Sequence, residues 1–171
     1  MFELEDIVNQ YGRRILVYCH NILCNYHDAQ DAVQTTFIKA YNKRESYKPI
    51  VSLSAWLHRI AYNSCMDIIR KRRFSLTGLF VEATHEGSYQ MEDRYISDEL
   101  RAALAGLSAK DRALVFSRVI DEMDYKEMAL IYNASETALR KRYERARKKL
   151  AEALESAGFS NCGCMANSSY Y

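Results

Sequence analysis

The 171-residue sequence predicts an all-α protein built as two small helical domains joined by a flexible linker, the second holding a helix-turn-helix. Three observations carry that prediction. Six glycines and one proline are few for the length, so helix breakers are scarce. Apolar residues recur at the helical period over most of the chain. The stretch Asp124–Leu154 also reads as a short helix, a sharp turn and a longer basic helix.

Phe2 to Asn25 is predicted as the first helix, with Leu4, Ile7, Val8, Tyr11, Ile15, Tyr18, Cys19 and Ile22 along one stripe. Cys19 and Cys24 stand five residues apart and so point in different directions; packed or partly exposed thiols are expected. The second helix spans Asp28 to Glu45, with Asp28 as its cap and Ala29, Ala32, Val33, Phe37, Ala40 and Tyr41 on the packed face. Asp31, Gln34, Thr35 and Lys39 form a polar face, suited either to solvent or to a docking partner.

Pro49 ends the helical pattern, and Ser46–Ser52 becomes a loop in which Tyr47 and Lys48 are available to stack or to neutralise charge. Ser52 or Ser54 caps a third helix running to Arg73. Trp56, Leu57, Ile60, Ala61, Ser64, Ile68 and Ile69 are its expected packed face. His58, Arg59, Tyr62, Asn63, Met66, Asp67 and Arg70 fall nearer the other side, His58 as a surface histidine. The closing run Arg70, Lys71, Arg72 and Arg73 complements a helix C-terminus, or faces phosphate.

Residues 74–96 contain Gly78, Gly87 and the acids Glu82, Glu86, Glu92 and Asp93, with weak periodicity, and are expected to be a linker. Fully extended, such a segment reaches some ~75 Å. The expected units are therefore residues 1–73, a linker at 74–96, a second domain at 97–157 and a flexible tail at 158–171. Leu100, Ala103, Leu104 and Leu107 mark one helix of the second domain, and Ser108 caps the next.

In Asp124–Leu154, Asp124 with Glu127 has the capping-box spacing, Asn133 tolerates the left-handed turn, and Ser135 caps the basic helix. Leu139, Tyr143, Ala146, Leu150 and Leu154 form the buried stripe. Arg140, Lys141, Arg142, Arg145, Arg147, Lys148 and Lys149 lie between, a pattern that fits nucleic acid or a solvated basic face. Net charge is only +2, so the local clusters and not the total carry this reading.

Catalysis is not expected. There is no phosphate-loop glycine pattern, no HExxH and no GxSxG, and His20, His27, His58 and His85 are not paired with acids in sequence. No cofactor is expected. Cys162 and Cys164 in the tail are half of a tetrahedral zinc shell, a weak metal or redox candidate. Five cysteines do not describe a disulfide framework. Glu3, Glu5 and Asp6 occupy the place where a signal peptide needs positive charge, and no apolar run approaches the roughly 20 residues of a membrane span. A cytoplasmic protein without membrane insertion is expected.

Three segments resemble the bacterial RNA polymerase sigma factors of the extracytoplasmic-function group, which have only the second and fourth sigma regions. Asp28–Tyr41, DAQDAVQTTFIKAY, resembles the polymerase-binding helix. Leu53–Arg73, LSAWLHRIAYNSCMDIIRKRR, resembles the promoter-melting helix, with Trp56, Leu57, Arg59, Ala61, Asn63, Asp67 and Arg70 in matching positions. Leu107–Leu150 resembles the fourth region, with Arg112, Glu127, Ala129, Leu139, Arg142, Arg145, Ala146 and Arg147 on the motif. Leu53 stands where the family often has Phe, Asn133 where it usually has Gly, and Ala138 where Thr is frequent.

The resemblance implies a non-enzymatic factor that joins core RNA polymerase through Asp31, Gln34, Thr35, Ile38 and Lys39. It implies reading of the −10 element and the melted non-template strand by Tyr47, Lys48, Arg59, Asn63 and Asp67, with Arg70, Lys71, Arg72 and Arg73 on phosphates. Glu136, Thr137, Arg140 and Lys141 would meet base edges of the −35 duplex, and Arg142, Arg145 and Lys148 its backbone. An anti-sigma factor is a further implied partner. A dimeric helix-turn-helix regulator and a helical adaptor with basic nucleic-acid-binding surfaces remain the alternatives.

Overall fold

The computed structural model describes residues 4–49, 51–75 and 98–156, and among them there is no β-strand. The helices are α1 (Leu4–Leu23), α2 (Tyr26–Asn42), α3 (Leu53–Ser75), α4 (Asp98–Ala105), α5 (Ala109–Val119), α6 (Tyr125–Tyr132) and α7 (Glu136–Ser156), with a 3-10 turn at Arg44–Ser46. The first two residues of the expected linker, 74 and 75, instead close α3, while 76–96 and the cysteine-bearing tail lie outside the described residues.

Local chemistry sets most boundaries. The side chain of Asp124 accepts from the Glu127 N–H at 2.7 Å, and Ser108 accepts from the Asp111 N–H at 3.2 Å. Ser52, not Ser54, caps α3, accepting from the Ala55 N–H at 3.2 Å. At α2 the cap is Asn25, which accepts from the Asp28 N–H at 3.0 Å. Asp28 therefore lies inside the first turn rather than capping it, because the extended backbone a cap requires falls at Asn25 (φ −146°). Three chain reversals use residues with positive φ: Cys24 (φ 52°) after α1, Glu122 (φ 52°) between α5 and α6, and Asn133 (φ 50°, ψ 52°) between α6 and α7.

Helices α1, α2 and α3 pack on one another around Ile15, Tyr18, Cys19, Ile22, Ala29, Phe37, Leu57, Ala61 and Cys65, all buried. Leu114, Met128, Ile131 and Leu139 seat α5, α6 and α7 together. Ala103, Leu104 and Leu107 join Ala146 and Leu150 in the core cluster.

The two halves pack against each other, α1 on α5 and α3 on α6. Ala55 of α3 belongs to the same cluster as Leu114 and Met128, so the apolar interior runs across the junction. A hydroxyl network runs through its polar seam. Tyr132 donates its hydroxyl proton to the Ala113 carbonyl at 2.8 Å. Its lone pairs are then left to accept from Tyr18 at 3.0 Å and Ser117 at 2.7 Å. Burial pushes both phenols above the usual tyrosine range, so they remain protonated donors.

Arg112 donates to the carbonyls of Asn21 at 2.8 Å, Ile22 at 2.6 Å and Leu107 at 2.6 Å. It thereby satisfies the open C-terminal end of α1 from the other half of the chain.

His58 corrects the sequence reading. It is wholly buried, not a surface group, and stands 3.0 Å from the buried carboxylate of Asp121. Of the α3 face that seemed polar in isolation, His58 is buried and Tyr62 and Met66 are half-buried, whereas Arg59, Asn63 and Arg70 stay exposed. Trp56 is half-buried rather than fully enclosed, with the Tyr47 ring 5.1 Å away.

Replacing Asn133 by a β-branched residue should cost about 1–2 kcal/mol, because a left-handed backbone crowds its Cβ. Asn133→Gly should hold or slightly raise stability; urea unfolding of Asn133→Val and Asn133→Gly checks both.

Candidate nucleic-acid interface

Helix α7 is fixed by buried Leu139, Ala146 and Leu150, which leaves the opposite side in solvent. Ser135 receives the Ala138 N–H at 3.3 Å and starts the helix immediately after the Asn133 turn. Glu136, Thr137, Arg140 and Lys141 are all exposed along its first turns. The Arg140 guanidinium lies 5.1 Å from the Tyr125 ring centroid, and Arg118 lies 5.4 Å from the same ring. That aromatic contact limits where Arg140 points, a constraint the sequence reading did not identify.

Arg145 and Lys148 are exposed, whereas Arg142 is partly committed inside the protein. Its Nε lies 2.6 Å from Asp111 Oδ1. Partial burial works against the ionised Asp111, but the hydrogen bonds from Ser108 and Arg142 outweigh it and hold the carboxyl below its usual range.

On α3, Arg59, Asn63, Arg70, Lys71 and Arg72 are exposed, and Asp67 is half-buried. Asp67 bonds Arg70 at 3.1 Å and pairs with Lys39 at 3.5 Å. Arg72 pairs with Asp28 of α2. The side chain of Arg73 lies outside the described residues. Lys48 is exposed, while Tyr47 is half-buried and donates to the Val51 carbonyl at 2.8 Å.

On α2, Asp31, Gln34 and Ile38 are exposed, with Ile38 at 60%, unusual for an isoleucine, and Thr35 is half-buried. Lys39 reaches the buried Ser64 at 3.4 Å as well as Asp67. The two candidate surfaces of the first half thus share an edge.

A cleft of about 610 Å³ opens between α3 and the start of α5, with Asn63 and Arg70 on one wall and Lys110 on the other. A neighbouring cavity of about 320 Å³ shares Tyr62, Lys110 and Tyr132 with it and continues to Arg142 and Arg145. The structure therefore gathers Asn63 and Arg70, from one predicted set, near Arg142 and Arg145, from the other. Lys110 and Tyr62 were not among the predicted contacts; the cation in the first turn of α5 was the only available signal. Among the described residues no group of His, Cys, Asp and Glu could hold a metal, and Cys162 and Cys164 lie outside them.

Two family models match the chain. Residues 7–75 match Sigma-70 region 2, and residues 97–150 match Sigma-70, region 4. An ECF RNA polymerase sigma factor of Bacillus subtilis, SigW, is 30% identical over 166 residues, covering 87% of this chain and 87% of the relative. SigE of Mycolicibacterium smegmatis is 29% identical over 88% of this chain. SigG of Mycobacterium tuberculosis is 29% identical over 86%. The chain spans 61% and 47%, respectively, of those two mycobacterial relatives.

Among solved structures, the sigma factor RpoE of Bartonella quintana, in complex with the anti-sigma factor NepR, superposes with a TM-score of 0.73 at 26% identity. That match covers 88% of this chain and 96% of the other. CnrH, in complex with the cytosolic domain of CnrY, shares the fold with a TM-score of 0.65 at 23% identity, over 90% of this chain and 88% of the other. With both sigma regions matched in order on a shared fold, the chain belongs to the ECF sigma factors of RNA polymerase.

Proposed function

We propose that this chain binds core RNA polymerase, directs it to promoters through the −10 and −35 elements, and helps open the DNA. The observation that carries the reading is the pairing, in one chain, of two matched sigma regions that each expose a cationic helix. Helix α2 supplies the docking surface through Asp31, Gln34, Thr35, Ile38 and Lys39. An exposed isoleucine among polar groups is the mark of a surface that a partner covers.

In the −10 element, Asn63 reads flipped bases of the non-template strand, with Arg59 and Asp67 beside it and Lys48 and Tyr47 in the preceding loop. Arg70, Lys71, Arg72 and Arg73 hold phosphates. In the −35 duplex the start of α7 enters the major groove. Arg140 bridges guanine O6 and N7, Glu136 accepts from cytosine N4, and Thr137 and Lys141 flank them. Arg142, Arg145 and Lys148 grip the backbone.

None of these steps makes or breaks a covalent bond, so the role is non-enzymatic and is carried out where the polymerase works, in the cytoplasm. An anti-sigma factor is the regulatory partner. It has a surface available where Val119 and Ile120 stand exposed beside Arg13 along the α1–α5 groove.

Purified protein mixed with core polymerase should give start-site-specific transcripts while binding promoter DNA weakly by itself. Tight, symmetric operator binding without polymerase would instead identify a dimeric regulator. Ile38→Ala should weaken association with core polymerase several-fold without changing thermal stability, as read by gel filtration and calorimetry. Arg140→Ala should relax preference at one −35 position by about 1–3 kcal/mol. Arg145→Ala should weaken binding equally on all sequences and flatten its salt dependence, a split that competition footprinting can read.

A further inference from the structure

One aromatic ring lies where three helices of the second half meet. Tyr125 opens α6, directly after the Asp124 cap, and is half-buried. Two guanidiniums lie on its ring: that of Arg140 from α7, 5.1 Å from the centroid, and that of Arg118 from α5, 5.4 Å away. Both are inside the ~6 Å range over which a ring face attracts a cation. The Tyr143 ring, one turn along α7 from Arg140, meets Tyr125 edge-on with centroids 6.4 Å apart.

The ring is fixed from both ends. The Asp124 side chain accepts from the Glu127 N–H at 2.7 Å, which sets the first turn of α6 and with it the backbone of Tyr125. Arg118, half-buried in the last turn of α5, donates to the Met123 carbonyl at 3.1 Å. Met123 is buried, and its N–H returns to the Ser117 carbonyl at 3.0 Å. Arg118 is therefore tied to the fold and braces the ring from the side of α5.

Arg140 is the member of this group that is free to act. An unrestrained arginine samples many rotamers, and most of that freedom is lost when its guanidinium meets a base. A contact that already limits the side chain removes part of the loss before DNA arrives. A carboxylate would limit it too, but would occupy N–H donors and cancel the charge. Arg142 shows that alternative, with its Nε engaged by Asp111 at 2.6 Å.

Among the described residues no carboxylate pairs with Arg140, and none of its N–H groups donates a hydrogen bond. The ring holds the cation through its electron-rich face and leaves the donors available. The fork that guanine O6 and N7 require stays open. Arg140 also remains exposed with the ring against it, so the held pose reaches into solvent and not back into the fold.

We propose that Tyr125 is a positioning residue for −35 recognition: acting through Arg140, it sets how sharply one base pair is chosen. This rests on the reading of Arg140 as a base contact in a sigma factor. Arg118 serves the ring and makes no base contact of its own.

The test uses holoenzyme, assembled from core polymerase and the full chain, with a pool of promoter duplexes randomised across the −35 element. Bound and unbound fractions are sequenced. The position that Arg140 reads is the one whose preference flattens in Arg140→Ala. There, Tyr125→Leu should lower the ratio of best to second-best base pair by about 2- to 5-fold, the size of an exposed cation–π contact. The other −35 positions and the salt dependence should stay as in the wild type.

Tyr125→Phe keeps the ring face and should keep the ratio, and Tyr125→Trp, with the stronger face, should hold or raise it. In the Arg140→Ala background, Tyr125→Leu should have no further effect at that position. A ring that only props up the helix would instead loosen every position in both backgrounds. The ratio compares two affinities of one sample, so any unfolded fraction of Tyr125→Leu cancels.

An unchanged or sharper ratio in Tyr125→Leu, where Arg140→Ala flattens it, overturns the positioning role and leaves the sigma-factor reading standing. A uniform loss at all positions overturns it as well. Wild-type holoenzyme that enriches no −35 sequence, or Arg140→Ala that flattens no position, removes the underlying reading and the proposal with it.

Discussion

A carboxylate removed from water must find partners, and Asp121 finds both of its own, Arg14 and His58, in the opposite half of the molecule. That requirement governs the rest of the arrangement. It fixes where the α5–α6 connection lies, because the backbone of Asp121 is also bonded back to Phe116 at 3.2 Å. Glu122 takes a left-handed conformation in the next position, so the connection turns sharply and presents Asp121 inward. Removing one partner of such a group costs more than the pair contributes, which makes the junction specific as well as cohesive.

Around this charge centre the junction is built from directional groups rather than from apolar area alone. Arg112 closes the carbonyl end of α1, and the Tyr18–Tyr132–Ser117 network fills the seam with donors and acceptors that are all matched. Apolar contacts accept small rotations; these bonds do not. The halves therefore meet in one orientation, and it brings the cationic sides of α3 and α7 toward a shared cleft.

What the sequence made legible divides by distance along the chain. The caps at Asp124, Ser108 and Ser135 and the turn at Asn133 were readable because each depends on residues within three or four positions. The packed stripes of α7 and of α1, apart from Val8, which is exposed, were readable for the same reason. His58 was misassigned because its partner lies far away on another element and a helical wheel has no knowledge of it. Arg112 was noticed only as a residue on a family motif, although it clamps carbonyls of α1. For the candidate site, the exposed groups on α2, α3 and α7 were visible in the pattern. Their convergence, the pairing of Arg142 with Asp111 and the restraint of Arg140 by Tyr125 required the tertiary structure.

The clamp that Arg112 places on α1 spans 90 positions of sequence. A ribosome adding about 5–20 residues per second needs on the order of 5 to 18 seconds between synthesising the carbonyl of Ile22 and the guanidinium that binds it. During that interval the nascent first half displays the face of α1 that α5 later covers. Interactions of this span also slow closure once the chain is complete, since the intervening loop must be ordered before the contact forms. Newly made protein is thus open at this face before its two halves meet.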